Sequence, residues 1–385
     1  MAPDNSLTLP YWRISSFYFF YFAALGAFLP YWGLYLASLG FSAIEIGELM
    51  AIVMATKVVA PYLWGWLGDH LNRRMAIVRT GSLLTFLTFG TVFWLHGFWG
   101  LALAMAVFSF FWNAVLPQLE VVTFAHLDQE APKYARLRVW GSVGFLLTVV
   151  LLGPAVDAEG PRVALYALFG IYGGIWIASL LVPEREDEVH HAAHEPLRRV
   201  LTKPHILGLF LVCFLLQAGH GAYYTFYSIF LDEIGYSKTA IGQLWALGVV
   251  AEVILYVFFM HRLLELFGTR AILLASLMLA AGRWLLIGFF PESLAVLAFA
   301  QLLHAASFGS FHAAAIHLVY VFFPGRLRGR GQALYSSVSF GAGGAIGSLA
   351  SGIGWDTIGP TLTFAFSSLV TVVAVVVAQR LIKNP

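Results

Sequence analysis

Five strongly charged residues fall inside long apolar runs or at their inner ends: Lys57, Glu120, Arg138, Glu252 and Arg283. An ion that faces lipid costs several kcal/mol, so each of these must meet a partner or a water-filled cavity. Such residues mark solute pathways and proton relays; the competing reading for any single one is a pairing that only joins helices. Glu120 and Arg138 stand at the near ends of consecutive runs, where a carboxylate and a guanidinium can pair until a substrate displaces one of them. Lys57, Arg138 and Arg283 set three cations against the two anions Glu120 and Glu252, a balance that suits a monocarboxylate better than a neutral sugar. Proton coupling needs a group that loses its charge at small cost. Glu252, held in an apolar run, is the expected proton carrier; His304 is the candidate relay partner, against the competing reading of a hydrogen-bonded packing histidine.

The elements that position these residues follow from composition. The chain has 385 residues, 60% of them hydrophobic and 11% charged. A soluble domain carries about 25% charged residues because its surface faces water. A hydrocarbon span takes about 20 apolar residues in a helix, and barrel strands would show short alternating segments instead. Apolar runs bounded by charge, glycine or proline predict spans near 14–38, 44–64, 75–95, 98–120, 137–156 and 162–182. A second set is predicted near 205–231, 239–260, 270–290, 293–320, 332–353 and 358–380. The chain therefore reads as an all-α membrane protein with twelve transmembrane helices. The polar start runs straight into a full-length first span, which reads as the absence of a cleavable leader.

Lys and Arg set the expected orientation. One side carries Arg13, Arg73, Arg74, Arg79, Lys133, Arg136, Arg185, Arg198, Arg199, Lys203, Arg262, Arg270, Arg326, Arg328, Arg330, Arg380 and Lys383. The opposite loops carry Arg162 and Lys238. The positive-inside rule then places both termini and the middle loop in the cytoplasm, with the protein in the cytoplasmic (inner) membrane. The polar stretch 183–204 reads as a cytoplasmic linker between two six-helix halves, 1–182 and 205–385. The halves repeat: LGFSAIEIGEL from Leu39 aligns with IGYSKTAIGQL from Ile234 at an offset of 195 residues, and the same offset pairs GSVGF at Gly141 with SSVSF at Ser336. Six spans return the chain to its starting side, so the repeat is parallel, related by an axis along the membrane normal. At this offset Lys57 falls on Glu252, which predicts that the two face one cavity from opposite halves.

At the inner end of span 2 the chain reads GWLGDHLNRR, from Gly65 to Arg74. Gly65, Asp69, Arg73 and Arg74 resemble the signature loop of the major facilitator superfamily, while His70 and Asn72 depart from it. Asp69 is expected to face the positive N-terminus of span 3 and to lock one state of a rocking carrier. The stretches YARLRVWGSVGF, LLQAGHGAYYTF, GQLWALGVVAEVI and QLLH are similar to bacterial phenylpropionate permeases along nearly the whole chain. More distantly, the chain resembles the lactose permease, a proton-coupled sugar carrier. That resemblance implies a substrate-binding role for Glu120 and places Arg138, Arg283 and His304 on its span-5 and span-9 arginines and its span-10 histidine. Glu252 lies near its span-8 glutamate, and Ser307 stands where it has a proton-carrying glutamate. The implied activity is a proton symporter for an aromatic monocarboxylate working by alternating access, with a sugar or nucleoside substrate as the alternative.

Aromatics make up 16% of the chain. Tyr11, Trp12, Trp94 and Trp99 sit at span ends as interface anchors. Tyr31 and Tyr35 share a helical face, as do Tyr223 and Tyr227, and with Trp32, Tyr224 and Trp245 they predict an apolar pocket for a phenyl ring. His220, His312 and His317 read as packing residues, and His312 and His317 are too far around a helix to act together. His190, His191 and His194 read as a solvated loop rather than a metal site, and the single Cys213 excludes a disulfide framework. No nucleophile–base pair, clustered metal ligands or nucleotide-binding loop is visible, so neither an enzyme, a cofactor nor ATP drive is expected. Asymmetric cavity charges speak against a channel, which favours rings of like groups. The expected partners are a small organic solute, protons and the bilayer, with no nucleic acid, and the expected state is a monomer.

Overall fold

The computed structural model describes residues 9–71, 73–127, 131–185, 201–323, 325 and 327–382. The histidines at 190, 191 and 194 and most of the predicted linker lie outside these residues. Every regular element described is helical. The first six spans are α1 (Tyr11–Ser38), α2 (Ala43–Leu71), α3 (Arg74–Gly90), α4 (Phe98–Leu127), α5 (Ala131–Glu159) and α6 (Arg162–Leu181). Then come α7 (Pro204–Gly219, resumed as Gly221–Ile234), α8 (Lys238–Ile254 with a π-turn at Leu255–Phe259) and α9 (Met260–Phe289). Span α10 runs Leu294–His304, Ala305–Ser310 (π) and Phe311–Phe322; α11 runs Leu327–Ser336, Ser337–Gly343 (π) and Gly344–Ile358; α12 is Pro360–Leu381.

By length and hydropathy alone, nine described segments can cross a membrane. One of them, the 52-residue stretch Lys238–Phe289, turns at Gly268 (φ 75°) and holds two crossings. Segments α2 and α11 are not among the nine; α2 carries Glu45, Glu48, Lys57 and Asp69, and α11 is rich in glycine and serine. Counting these gives the twelve spans expected.

The two sets of six break their helices by different chemistry, at places that match only in part: the 195-residue offset carries Pro154 onto Leu349, beyond the α11 π-turn. Pro30, Pro61, Pro117 and Pro154 lie inside α1, α2, α4 and α5. A proline removes one backbone donor and clashes with the preceding turn, so the helix kinks there. Their counterparts α7, α8, α10 and α11 hold no internal proline among the described residues; they break at His220 or carry π-turns instead. The 195-residue offset carries Pro61 onto Tyr256, inside the α8 π-turn. It carries Asn113, whose carbonyl Pro117 leaves without its usual donor, onto Phe308 inside the α10 π-turn. A π-turn also leaves a carbonyl without its i+4 partner. The Tyr256 hydroxyl, in the α8 π-turn, donates to the Gly309 carbonyl in the α10 π-turn at 2.9 Å.

Away from the arginine-rich ends, α2 is pressed against α11 and α5 against α8. A Cβ on Gly47 would sit 2.7 Å from the Ser348 carbonyl oxygen and 3.0 Å from the Gly352 Cα, so α2 and α11 approach at a distance only glycine allows. Two carboxylates cap helices across this seam. Asp157 at the end of α5 accepts from the backbone N–H groups of Lys238 and Thr239 (2.8 and 2.9 Å) and from the Thr239 hydroxyl (2.5 Å). Asp356 at the end of α11 accepts from the Ile44 N–H at 3.1 Å. Ile44 and Thr239 are repeat equivalents, so each set of six places an anion on the positive N-terminus of a helix from the other.

Candidate substrate cavity

A cavity of about 810 Å³ lies between the two sets of six. It reaches Tyr134, Gln332 and Val257 near the arginine-rich ends, and at the other end it closes on the α2–α11 seam, where Ser348 lines it. Lys57 and Glu252 both line it, from α2 and α8, as the repeat predicts, and so do Glu120 and Arg138.

Lys57 forms no ion pair or hydrogen bond among the described residues. Glu120 accepts from the Tyr134 hydroxyl at 3.1 Å. Arg138 lays its guanidinium on the Phe22 ring, 3.6 Å from the centroid, with Tyr18 at 6.0 Å. No ion pair within 4.0 Å joins Glu120 to Arg138, so the expected pairing across the α4–α5 loop is replaced by Tyr134 on one side and an aromatic face on the other. The first six helices thus present two cations whose charges are not closed off by carboxylates.

The opposite wall is tightly bonded. Arg283 is fully buried and is absent from the cavity lining. Its Nε donates to the Ala300 carbonyl (2.9 Å), one Nη to Gln301 (3.2 Å) and the other to Nδ1 of His304 (3.1 Å), while Tyr223 and Trp284 cover its face. In this structure Arg283 does not reach the cavity where substrate contact was expected: each of its three nitrogens donates behind the wall. Guanidinium only donates, so Nδ1 of His304 must accept, and the neutral ring carries its proton on Nε2. That nitrogen lies 3.6 Å from Glu252 Oε2. Glu252 is 23% exposed, toward the cavity.

Of the predicted aromatics, Tyr223, Tyr224 and Trp245 line the cavity; Tyr31, Trp32, Tyr35 and Tyr227 do not. Tyr31 donates instead to the Val149 carbonyl (2.6 Å), tying α1 to α5. Aromatics that single-helix spacing did not flag take their place: Phe22, Phe28, Trp112, Phe308 and Phe340. His312 also lines the cavity, against its reading as a packing residue. His304, Phe308 and His312 stack with centroids 5.2 and 6.2 Å apart and planes within 8°. Their i, i+4, i+8 spacing was the available signal; the comparison with His317 pointed away from it.

At the Gly65–Arg74 loop, Asp69 pairs with Arg74 at 2.5 Å, and Arg74 also holds Gln118 at 2.8 Å. The N-terminus of α3 is met by Glu184, whose two oxygens both accept from the Met75 N–H at 3.1 Å. The expected role of Asp69 there is corrected: Glu184, following α6, ends beside the start of α3 and accepts from the N–H of its second residue. Arg79 in turn donates to the Val182 carbonyl (2.8 Å) after α6, as Arg270 does to Ile382 (2.6 Å) after α12. Among the described residues no cluster of metal-ligating side chains is present.

The MFS_1 like family matches residues 11–366. The chain is 31% identical over 348 residues to an Escherichia coli K12 protein named "Probable 3-phenylpropionic acid transporter", covering 89% of this chain and 90% of that one. It is 26% identical to the maltose permease of Geobacillus stearothermophilus, covering 96% and 93%. The crystal structure of the nucleoside transporter NupG superposes with a TM-score of 0.85 at 15% identity, covering 97% of this chain and 99% of that one. The closely packed helices, the cavity between two sets of six spans and these relationships identify the chain as a multi-pass membrane transporter, not an enzyme, belonging to the MFS_1 like family of the major facilitator superfamily.

Proposed function

We propose that the protein is a proton symporter that carries an aromatic monocarboxylate such as 3-phenylpropionate across the cytoplasmic membrane by alternating access. The observation that carries this reading is the pair Lys57 and Arg138 on the cavity wall, neither bound to a carboxylate, beside a lining rich in aromatic rings. With Arg283 behind the wall, the lining holds Lys57 and Arg138 against Glu120 and Glu252. When Glu252 is protonated, one positive charge is left over, which one carboxylate balances. Substrate and proton then enter together, because each removes an uncompensated charge that the other would leave in a low-dielectric cavity. The similarity to the E. coli protein supports the choice of acid.

In this reading 1–182 and 205–385 are the two rocking halves, both termini are cytoplasmic, and the structure is open to the cytoplasm. Lys57, Arg138 and Glu120 hold the polar end of the substrate, and Tyr223 and Trp245 its ring. Glu252 carries the proton, and the Gly65–Arg74 loop steadies one state. The test is uptake by proteoliposomes of labelled 3-phenylpropionate, maltose and a nucleoside, each with and without an inward proton gradient. Saturable 3-phenylpropionate uptake driven by the gradient is expected. Gradient-driven uptake of maltose or the nucleoside in its place would reassign the substrate, and non-saturating flux would remove the carrier reading.

A further inference from the structure

The two histidines on the cavity wall differ in what their ring nitrogens are bound to. His304 is held by a group of fixed sense: Arg283 donates to Nδ1, so the ring proton sits on Nε2, 3.6 Å from Glu252 Oε2. A second proton on that ring would set two donors, Nδ1–H and the guanidinium, against each other at 3.1 Å. His304 is thereby locked neutral, a bridge between a buried cation and a carboxylate.

His312 is held differently. Its Nδ1 lies 2.8 Å from the Tyr335 hydroxyl, and a hydroxyl can accept as readily as it donates. With Tyr335 accepting from Nδ1–H, the hydrogen bond is the same for the neutral and the charged ring. Nε2 has no hydrogen-bond partner among the described residues and is not sealed in protein, and the ring lines the cavity. Tyr335 is 2% exposed and cannot turn away with its partner.

We propose that His312, positioned by Tyr335, is a second protonation site of the transport cavity, and that His304 is not one. In the step itself, Nε2 takes a proton from a cavity hydronium: the N–H bond forms as the O–H bond breaks, water is left, and the ring passes from neutral to singly charged. The reverse returns the proton to the same water. The groups facing this ring are Tyr335 on α11, with the Cys213 backbone of α7 behind it through Ser339, Glu252 and Tyr256 on α8, His304 on its own helix, and Lys57 and Arg138 across the cavity. From α9, His261 pairs with Glu265 in the open and Arg270 is bonded to the end of α12, so neither is committed to His312. Lys57 and Arg138 oppose the charged ring; an ionised Glu252 or a substrate carboxylate favours it. By linkage, whatever anion stabilises the charged ring is itself held more tightly by it. The site thus ties release of an anionic substrate to the pH of the side onto which the cavity opens, and in this it rests on the proposed proton symport.

The decisive measurement is nitrogen NMR of the purified full chain with labelled histidine, from about pH 5 to 8. The signal missing in His312→Gln is expected to pass from a neutral to a cationic ring. The signal missing in His304→Gln is expected to keep a proton on Nε2 only. A neutral His312 throughout, or a His304 that becomes cationic, overturns the proposal. If His312→Gln does not fold, Tyr335→Phe gives the assignment, since only the His312 signal is in contact with the lost hydroxyl. A second readout is 3-phenylpropionate efflux from proteoliposomes at varied internal pH: its dependence weakens in His312→Gln, leaving the part that Glu252 carries, and an unchanged dependence overturns the proposal. If the protein carries no 3-phenylpropionate, the proposed function fails while the NMR titration still decides this site.

Discussion

The two sets of six helices share a layout but not a chemistry. On the first wall, Lys57 and Arg138 stand with loose or aromatic surroundings, and Glu120 holds one tyrosine hydroxyl. On the second, Arg283, His304 and Glu252 form a continuous chain of polar contacts behind and into the cavity. The bends follow the same division, prolines in α1, α2, α4 and α5 and π-turns or a break in α7, α8, α10 and α11. A duplicated fold has therefore kept which helices are interrupted and let each half solve the backbone problem in its own way. The open wall is suited to taking up a charged ligand; the bonded wall is suited to holding a proton in a defined place.

The largest effect that separates the walls is expected at Glu252. Replacing it with Gln should lower gradient-driven accumulation by about 100-fold or more, while substrate counterflow, which needs no net proton movement, persists. If counterflow is lost equally, Glu252 acts in binding and the division between the walls fails. On the open wall, Lys57→Ala and Arg138→Ala each remove a charge-assisted contact of about 1.5–3 kcal/mol. The apparent affinity for 3-phenylpropionate should fall roughly 10- to 100-fold. An uncharged analogue such as its amide should bind the variants and the parent alike, and a matching loss for the amide would show damage to the fold instead.

Arg283→Lys tests the bonded wall by geometry with the charge kept. An ammonium cannot reproduce three donors in one plane, so Gln301, His304 or the Ala300 carbonyl loses its partner at about 1–3 kcal/mol. Thermal unfolding in detergent should show the loss; an unchanged transition would mean that the fork is not needed. The smallest effect is expected at the cross-seam caps. Each anion on a helix N-terminus contributes about 0.3–1 kcal/mol, so Asp157→Asn or Asp356→Asn should shift the conformational ratio about twofold to fivefold toward the state open on the capped side. Labelling of a single cysteine placed in the seam reads this directly. Equal shifts from the two variants would sharpen the pseudo-symmetry, and a shift from only one would break it.

The legible part of the molecule was the part written in local pattern. Apolar run length gave twelve spans, although Lys238–Phe289 folds as one helical stretch turned at Gly268. The 195-residue offset put Lys57 and Glu252 on one cavity because equivalent residues of a parallel repeat occupy equivalent depths. Charge in an apolar run pointed to the cavity for Lys57, Glu120, Arg138 and Glu252 because lipid does not tolerate it. Arg283 obeyed the same rule in the other permitted way, by burying itself among acceptors.

What the sequence determined by itself is thus the number of spans, the repeat, and the set of residues that lipid would reject. Tertiary structure alone decided which of them face the cavity, because facing depends on helix rotation and on bends. The prolines are visible in the sequence, but the π-turns in α8, α10 and α11 are not. Structure also decided that Glu184 rather than Asp69 meets α3, and that Tyr31 joins α1 to α5 instead of lining the cavity. It separated His304 from His312 as well: two histidines eight residues apart on one face differ only in what lies behind them, a guanidinium that must donate and a hydroxyl that can accept.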